Sequence, residues 1–304
     1  MNELPVVVVA GQDATLADVL PRLGDDADRA FREGRVFIGA RRAADLGERV
    51  AAGQEVTMYP ARDAGVAAPR ILLRAGGIVA AYKPAGVASV PDHRGSAGTL
   101  QEEIAKLAGM SRDELAVTSR LDVGVSGVVL FATDEPTRKR LAAARREGRY
   151  RRHYVAIAAR SPVPDRGVWD VPIGHDRDPR KRRAFGRDAT PASTGYAVRG
   201  RAGQAALLAV EPKTGRTHQI RVHAAHAGCA LYGDAAYGGP ARTVSPNGSV
   251  AAIGRVALHA AWVEVPSEGA QILRVQAEIP ADLAAIWGSC GGHPAEWGRA
   301  LEPL

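Results

Sequence analysis

The chain of 304 residues is 46% apolar and 24% charged, with a net charge of +7. Such a composition suits one large globular domain or two and contains no run near the ~20 apolar residues that a membrane helix requires. The opening Met1-Asn2-Glu3-Leu4-Pro5 has neither the basic nor the apolar region of a signal peptide, and Cys229 with Cys290 makes no disulfide framework, so the expected compartment is the cytoplasm, away from membranes.

Charge is divided unevenly. Residues 1–64 hold 8 Lys or Arg against 11 Asp or Glu, whereas the remaining 240 hold 32 against 22. A basic body fits a polyanionic partner, because neutralised phosphates release their counterions. Solubility in a chain rich in Arg and Ala explains the same balance equally well, so charge alone leaves nucleic-acid binding open.

From the start, Pro5 to Ala10 reads as a short strand, and Thr15 to Leu23 carries apolar residues at helical spacing. Asp28 is placed to cap a helix that Gly34 ends. Stretches 35–39 and 54–59 read as strands. The Pro-, Ala- and Gly-rich stretch 60–70 lacks periodicity and marks a boundary between a small domain, 1–64, and a larger one, 65–304. Beyond it, 78–82 predicts a strand, Thr99 and Glu102 a capping box for a helix closing at Gly109, and 128–131 an apolar strand. Asp134 caps a predicted helix over 136–147. Strands are expected at 154–159, 193–199, 205–211, 257–265 and 271–279, and a helix at 217–227. Many strands with few helices, and no regular βαβ alternation, predict an α+β fold.

Four segments can carry chemistry. The first, Ser119-Arg120-Leu121-Asp122-Val123-Gly124-Val125-Ser126-Gly127, places Asp122 on a loop just before a buried strand. Read alone, the triplet is better explained by a surface pair between Arg120 and Asp122. The second, Gly215-Arg216-Thr217-His218-Gln219-Ile220-Arg221-Val222-His223, combines a tight turn, a cap at Thr217 and a helix start that suits anions. His223 and His226 share a helix face, but no Cys or carboxylate at ligand spacing completes a metal set, so no metal site is expected. The third and fourth are basic tracts, Arg138–Arg152 and Arg177–Arg187, which together hold 14 of the 40 basic residues and so favour phosphate contact over a merely solvated face. Walker, dinucleotide-binding, nucleophile-elbow and zinc-deaminase signatures are missing from the sequence.

Together and in order, these segments resemble the RluA family of RNA pseudouridine synthases. Its catalytic stretch, His-Arg-Leu-Asp-x-x-Thr-Ser-Gly before an apolar strand, is matched by Arg120, Leu121, Asp122, Ser126 and Gly127. A Tyr-x-Ala strand after a basic helix is matched by Tyr154 and Ala156, and Gly-Arg-x-His-Gln-Ile-Arg-x-His by residues 215–223 without a break. Smaller echoes are Lys83-Pro84-Ala85-Gly86, Gly233-Asp234-x-x-Tyr237-Gly238 and Ala257-Leu258-His259-Ala260. Residues 13–59 more faintly resemble a degenerate S-four-like RNA-binding domain, through Arg32-Glu33-Gly34-Arg35-Val36 and Val50-x-x-Gly53-x-x-Val56.

The resemblance implies a mixed, largely antiparallel central sheet with a cleft, and an isomerase that flips a uridine out of its stack and reattaches uracil through C5. It implies Asp122 as the essential carboxylate, Tyr154 beneath the base and taking up a proton, and Arg221 paired with Asp122. It also implies RNA contacts from Lys83, Arg120, Arg151, Arg152, Arg216, His218 and Gln219, with Arg120 filling the vacated stack. The partner would be RNA, ribosomal rather than transfer RNA, met by a monomer. A redox-neutral isomerisation calls for no cofactor or metal. Two departures stand out: Ser119 replaces the family's His, and Val123-Gly124-Val125 replaces Arg-Asp-Thr. They imply a looser loop or a changed substrate, and motivate an alternative, a catalytically weakened member serving as an RNA-binding ribosome-assembly factor.

Overall fold

A computed structural model describes residues 5–32, 35–39, 41–58, 68–91, 98–244, 250–267 and 271–304. Most of the expected boundary at 60–70 lies outside the described residues, as do Glu33 and Gly34 of the N-terminal likeness.

Strands of the larger part join in one ten-stranded sheet. Its order runs Arg166–Asp170, Ser193–Ala202, Ala205–Pro212, Arg151–Ala158, Leu258–Pro266, Ser126–Ala132, Ile78–Lys83, Arg70–Ala75. Ile272–Gln276 and Ala116–Val117 pair alongside. Its pairings are antiparallel except between Ser126–Ala132 and Leu258–Pro266, where Ser126 faces His259 and Gly127 faces Ala260. The sheet is thus mixed and largely antiparallel, as expected. Gly127 (φ 127°) is required at this junction, since a Cβ there would stand 2.2 Å from the Ala260 carbonyl oxygen.

Both faces of the sheet are covered, which explains why its central strands read as nearly continuous apolar runs. Along Arg151–Ala158, Tyr154, Ala156 and Ala158 enter one core cluster while Val155 and Ile157 enter the other, the two-residue period of a strand. Each fully buried Val, Leu or Ile contributes roughly 1.5–3 kcal/mol. The local helix signals hold. Thr99 and Glu102 form the capping box of Leu100–Ala108, with Gly109 left-handed beyond it, and Asp134 accepts from the Thr137 N–H at 2.7 Å to start Glu135–Arg146.

Three expectations need correction. The helix placed at 217–227 is shorter, Gln219–His226, and its N-cap is His218, in a left-handed conformation, instead of Thr217. Part of the Arg177–Arg187 tract, for which no strand was expected, enters a three-stranded sheet of Arg182–Ala184, Ile173–His175 and Arg187–Thr190. Helices Ala281–Ser289 and Glu296–Ala300 were not anticipated.

Near the N-terminus, Val6–Val9, Glu55–Met58, Val36–Ile38 and Arg41–Arg42 form a separate four-stranded sheet, with helices Leu16–Val19 and Ala27–Arg32. Asp28 lies inside the second helix, in its first turn, and does not cap it. Among the described residues, no helix is long and apolar enough to cross a membrane.

Candidate active site

The parallel junction sets the site. Asp122 precedes it by a few residues, on a turn closed by the Val125 N–H donating to the Asp122 carbonyl at 3.0 Å. Across the sheet, Tyr154 pairs with Ala260, the residue that Gly127 faces. His153, one residue earlier, points to the opposite face by the strand's ordinary alternation and stacks there on Trp262 with centroids 4.6 Å apart. Tyr154 therefore packs in the same cluster as Leu121 and Val125, which flank Asp122, and Ile220, which precedes Arg221. Residues far apart in the chain meet here because register, not proximity in sequence, fixes the row they share.

Arg221 is the hub of the site. Its Nε and Nη2 donate to the two oxygens of Asp234, each at 2.8 Å, and its Nη1 donates to Asp122 Oδ2, also at 2.8 Å. Arg221 is 6% exposed and Asp234 0%. The bidentate pair fixes the guanidinium plane and leaves one nitrogen to hold the catalytic candidate. Asp122 thus pairs with Arg221, not with its chain neighbour Arg120. Burial opposes ionisation of Asp122, but the charge of His218 once acid protonates it, the charges of Arg221 and Lys83 and the Arg221 hydrogen bond outweigh it, holding the carboxyl below its usual range. At neutral pH it is a carboxylate, about a quarter exposed (28% of the side chain).

His218 Nε2 lies 3.8 Å from Asp122 Oδ2, while its Nδ1 is 2.7 Å from the Tyr237 hydroxyl. The Arg182 backbone N–H donates to that same hydroxyl at 3.0 Å, which leaves the phenolic proton free to be given to Nδ1 and puts the imidazole proton on Nε2, toward Asp122. Burial pushes His218 below its usual pKa, so it stays neutral at pH 7, and pushes Tyr237 up to about 12. His218 holds φ 58°, a strained value for a non-glycine residue, at the point where it meets Asp122.

Burial also raises the Tyr154 hydroxyl pKa, and the Asp122 charge adds to that rise. Tyr154 is therefore a phenol at neutral pH, able to lie beneath a base, and it can take a proton only while giving up its own.

Two residues expected to touch RNA are buried, with their polar groups bonded inside the protein. Lys83 is fully buried, and its Nζ donates to the carbonyls of Pro84, Val87 and Val123 at 3.0, 2.6 and 3.2 Å. It is the floor of the Asp122 loop. Gln219 is 5% exposed and saturated: Oε1 accepts from Thr214 Oγ1 and the Arg216 N–H, and Nε2 donates to the Ser193 carbonyl and Thr194 Oγ1. Polarity suggested exposure, whereas these groups are buried with their partners. Arg151 pairs with Glu211 and Glu264, both at 3.2 Å, and Arg152 donates to the Pro212 and Thr214 carbonyls, bracing the turn before Gly215. Arg120 and Arg216 are exposed. Much of the Arg138–Arg152 tract is likewise committed internally, through Arg138–Glu135, Arg149–Glu147 and Arg145 to the Thr118 carbonyl.

The departures from the family pattern are absorbed by the backbone. The Leu121 N–H and carbonyl both bond Ser89 Oγ, at 3.0 and 2.9 Å, and the Val123 carbonyl accepts from the Gly86 N–H at 2.8 Å. Val125 is a core residue, and the Ser119 hydroxyl lies 3.3 Å from that of Tyr150. Sequence reasoning missed Asp234 and Tyr237, although the Gly233-Asp234-x-x-Tyr237-Gly238 echo held both. Gly233 (φ 71°) permits the turn, because a Cβ would stand 1.9 Å from the Arg255 carbonyl oxygen.

Comparison with known proteins agrees with this geometry. Residues 77–226 match the profile of the RNA pseudouridylate synthase family. The chain is 34% identical to an uncharacterized RNA pseudouridine synthase of Chloroflexus aurantiacus, over 67% of this chain and 64% of that protein. It is 29% identical to the ribosomal large subunit pseudouridine synthase D of Nitrosomonas europaea, over 90% of this chain and 82% of that protein. The chain thus spans slightly under two thirds of the first of these relatives and most of the second. Among solved structures, human RNA pseudouridylate synthase domain containing 4 matches with a TM-score of 0.56 and 23% identity, over 73% of this chain and 92% of that one, a likeness of fold. Over residues 77–226 the chain is similar to the RNA pseudouridylate synthase family, as its motifs implied.

Proposed function

We propose that this chain is a member of that family and isomerises selected uridines in RNA to pseudouridine, with ribosomal RNA the favoured substrate. In that reaction the N1–C1′ glycosidic bond breaks, uracil turns, a C5–C1′ bond forms, the C5 proton leaves and N1 takes up a proton. No atom is gained or lost. The observation that carries the reading is a single ionised carboxylate, Asp122, partly exposed and held at one oxygen by Arg221. A carboxylate so fixed can attack the nucleotide or stabilise the positive charge that builds on the sugar as uracil departs. Tyr154 would lie under the detached base, with His218 beside the carboxylate at 3.8 Å and Arg221 keeping that carboxylate oriented.

The name of the Nitrosomonas europaea relative favours large-subunit ribosomal RNA. Arg120, exposed beside Asp122, supports the role of filling the space a flipped uridine leaves. Arg216, exposed at the turn before the helix, supports phosphate contact. Separate sheets and a separate core cluster support the division into domains 1–64 and 65–304. The family profile starts at Gly77, beyond the small domain, whose S-four-like character therefore rests on sequence likeness alone. Backbone anchorage of residues 121–125 favours an active enzyme over the weakened assembly factor.

Release of tritium from RNA labelled at uridine C5 tests the reading, since every isomerisation expels that hydrogen. Release that requires the chain and Asp122 is expected. Purified protein that frees none from total cellular RNA contradicts it.

A further inference from the structure

Phe185 is 65% exposed and sits at φ 54°. Neither property is usual for an aromatic residue. The cause lies in the three-stranded sheet. Arg182–Ala184 and Arg187–Thr190 pair on opposite sides of Ile173–His175, so residues 185–186 must cross that middle strand in two steps. They cross at Gly174, where a Cβ would stand 2.4 Å from the Arg187 carbonyl oxygen and 2.6 Å from Gly186. The Phe185 N–H donates to the Pro172 carbonyl at 2.9 Å, which pins the crossing. The ring is thereby presented to solvent on a rigid mount. Its neighbour is the exposed His226 ring, edge-on at 5.8 Å.

An open groove of about 380 Å³ runs beside it, lined by Lys181, Arg182, Arg183, His226 and Tyr237, with one carboxylate, Asp176, over an apolar floor that includes Val222. Tyr237 is the residue that bonds His218 next to Asp122, and the Arg182 N–H ties the small sheet to its hydroxyl. Cations therefore line one path between the candidate active site and the aromatic pair. Arg177 and Arg183 are exposed, while Arg180 is neutralised by a bidentate bond to Asp178.

We propose that Phe185 is a stacking platform for an RNA base flanking the target uridine, with the phosphates of that strand lying over Lys181 and Arg183. The inference rests on the functional reading above and adds a binding subsite to it. Cationic side chains leading to an exposed ring are what a single strand needs: charges track the backbone, and any base offers a face to the ring. Strain held at an exposed aromatic is explained if the conformation serves a contact.

The test uses the full chain and a short single-stranded RNA carrying one 2-aminopurine, whose fluorescence falls on stacking. Wild type and Phe185→Trp should bind with strong quenching. Phe185→Leu, on an exposed side chain and with its fold checked by circular dichroism, should bind roughly 5- to 100-fold more weakly, without quenching. Lys181→Ala with Arg183→Ala should shallow the slope of log affinity against log salt by about 0.7 per lost phosphate contact. If Phe185→Leu binds and quenches as wild type does while wild type still releases tritium from RNA, the subsite is wrong and the enzyme reading stands. If wild type neither binds nor modifies RNA, both fall. Salt-sensitive binding with no quenching by any variant would mark a surface for an acidic protein segment and would overturn the proposal.

Discussion

Arg221 holds Asp122 through one nitrogen only, with Nη1 2.8 Å from Oδ2, because its other two nitrogens are engaged by Asp234. The carboxylate of interest is thus positioned by a side chain that is itself fixed from behind. Asp234 is a positioning residue in this arrangement. Asp234→Ala leaves a buried guanidinium with half its partners, at a cost of about 3–5 kcal/mol. A urea midpoint should fall accordingly, and turnover should fall with it even in conditions where the variant is fully folded. Unchanged turnover in folded Asp234→Ala would separate Arg221 from the chemistry.

Lys83 supplies the second support. Lys83→Met strands three carbonyls beneath the Asp122 loop, each costing about 1–3 kcal/mol if left unsatisfied. Stability and turnover should drop, while RNA affinity in the fraction that folds stays near wild type. A large loss of affinity with stability intact would restore Lys83 as an RNA contact.

Tyr154→Phe removes only the hydroxyl from a residue packed in the core cluster. Thermal unfolding should shift by no more than ~1 kcal/mol in equivalent stability. Turnover should fall at least tenfold if the phenol moves a proton, whereas a ring that only stacks would leave turnover nearly unchanged.

Acid should weaken the fold before any carboxylate titrates. Burial is the main cause holding His218, His223 and His259 below their usual pKa, with His259 at about 3. A histidine kept neutral in the fold binds fewer protons than in the unfolded chain. Its stabilising effect is whole above pH 6.5, the unfolded value, and is lost as pH falls toward the folded one. For His259 that window runs from 6.5 down to about 3, with a limiting slope of about 1.4 kcal/mol per pH unit. Asp122 behaves oppositely in origin, its depressed pKa contributing above the ordinary carboxylate range and failing only in stronger acid. Urea midpoints at pH 7 and 5 should therefore differ, and His259→Gln should reduce the difference. Equal slopes in the two proteins would contradict the assignment.

Much of the frame was legible because its signals are local. The Thr99–Glu102 box, the left-handed Gly109 and the Asp134 cap depend on residues three to ten apart. Motif text also brought Asp122, Tyr154 and Arg221 to one place. What escaped depends on long-range pairing. Arg221 meets Asp234 only because Gly233 lets the chain turn close under Arg255. Lys83 and Gln219 look like surface groups until burial and their partners are seen together. The segment 173–190 carries Gly, Asp and Pro, which favour turns, and its strands form through pairing across Gly174 that local propensity does not register.

The most direct test maps pseudouridines at single-nucleotide resolution in RNA from cells lacking this protein, complemented with wild type or with Asp122→Asn. At least one ribosomal site should vanish on deletion, return with wild type and stay absent with the variant, although the variant binds RNA as well as wild type does. No lost site, or a site restored equally by Asp122→Asn, would contradict Asp122 as the carboxylate on which the reaction depends.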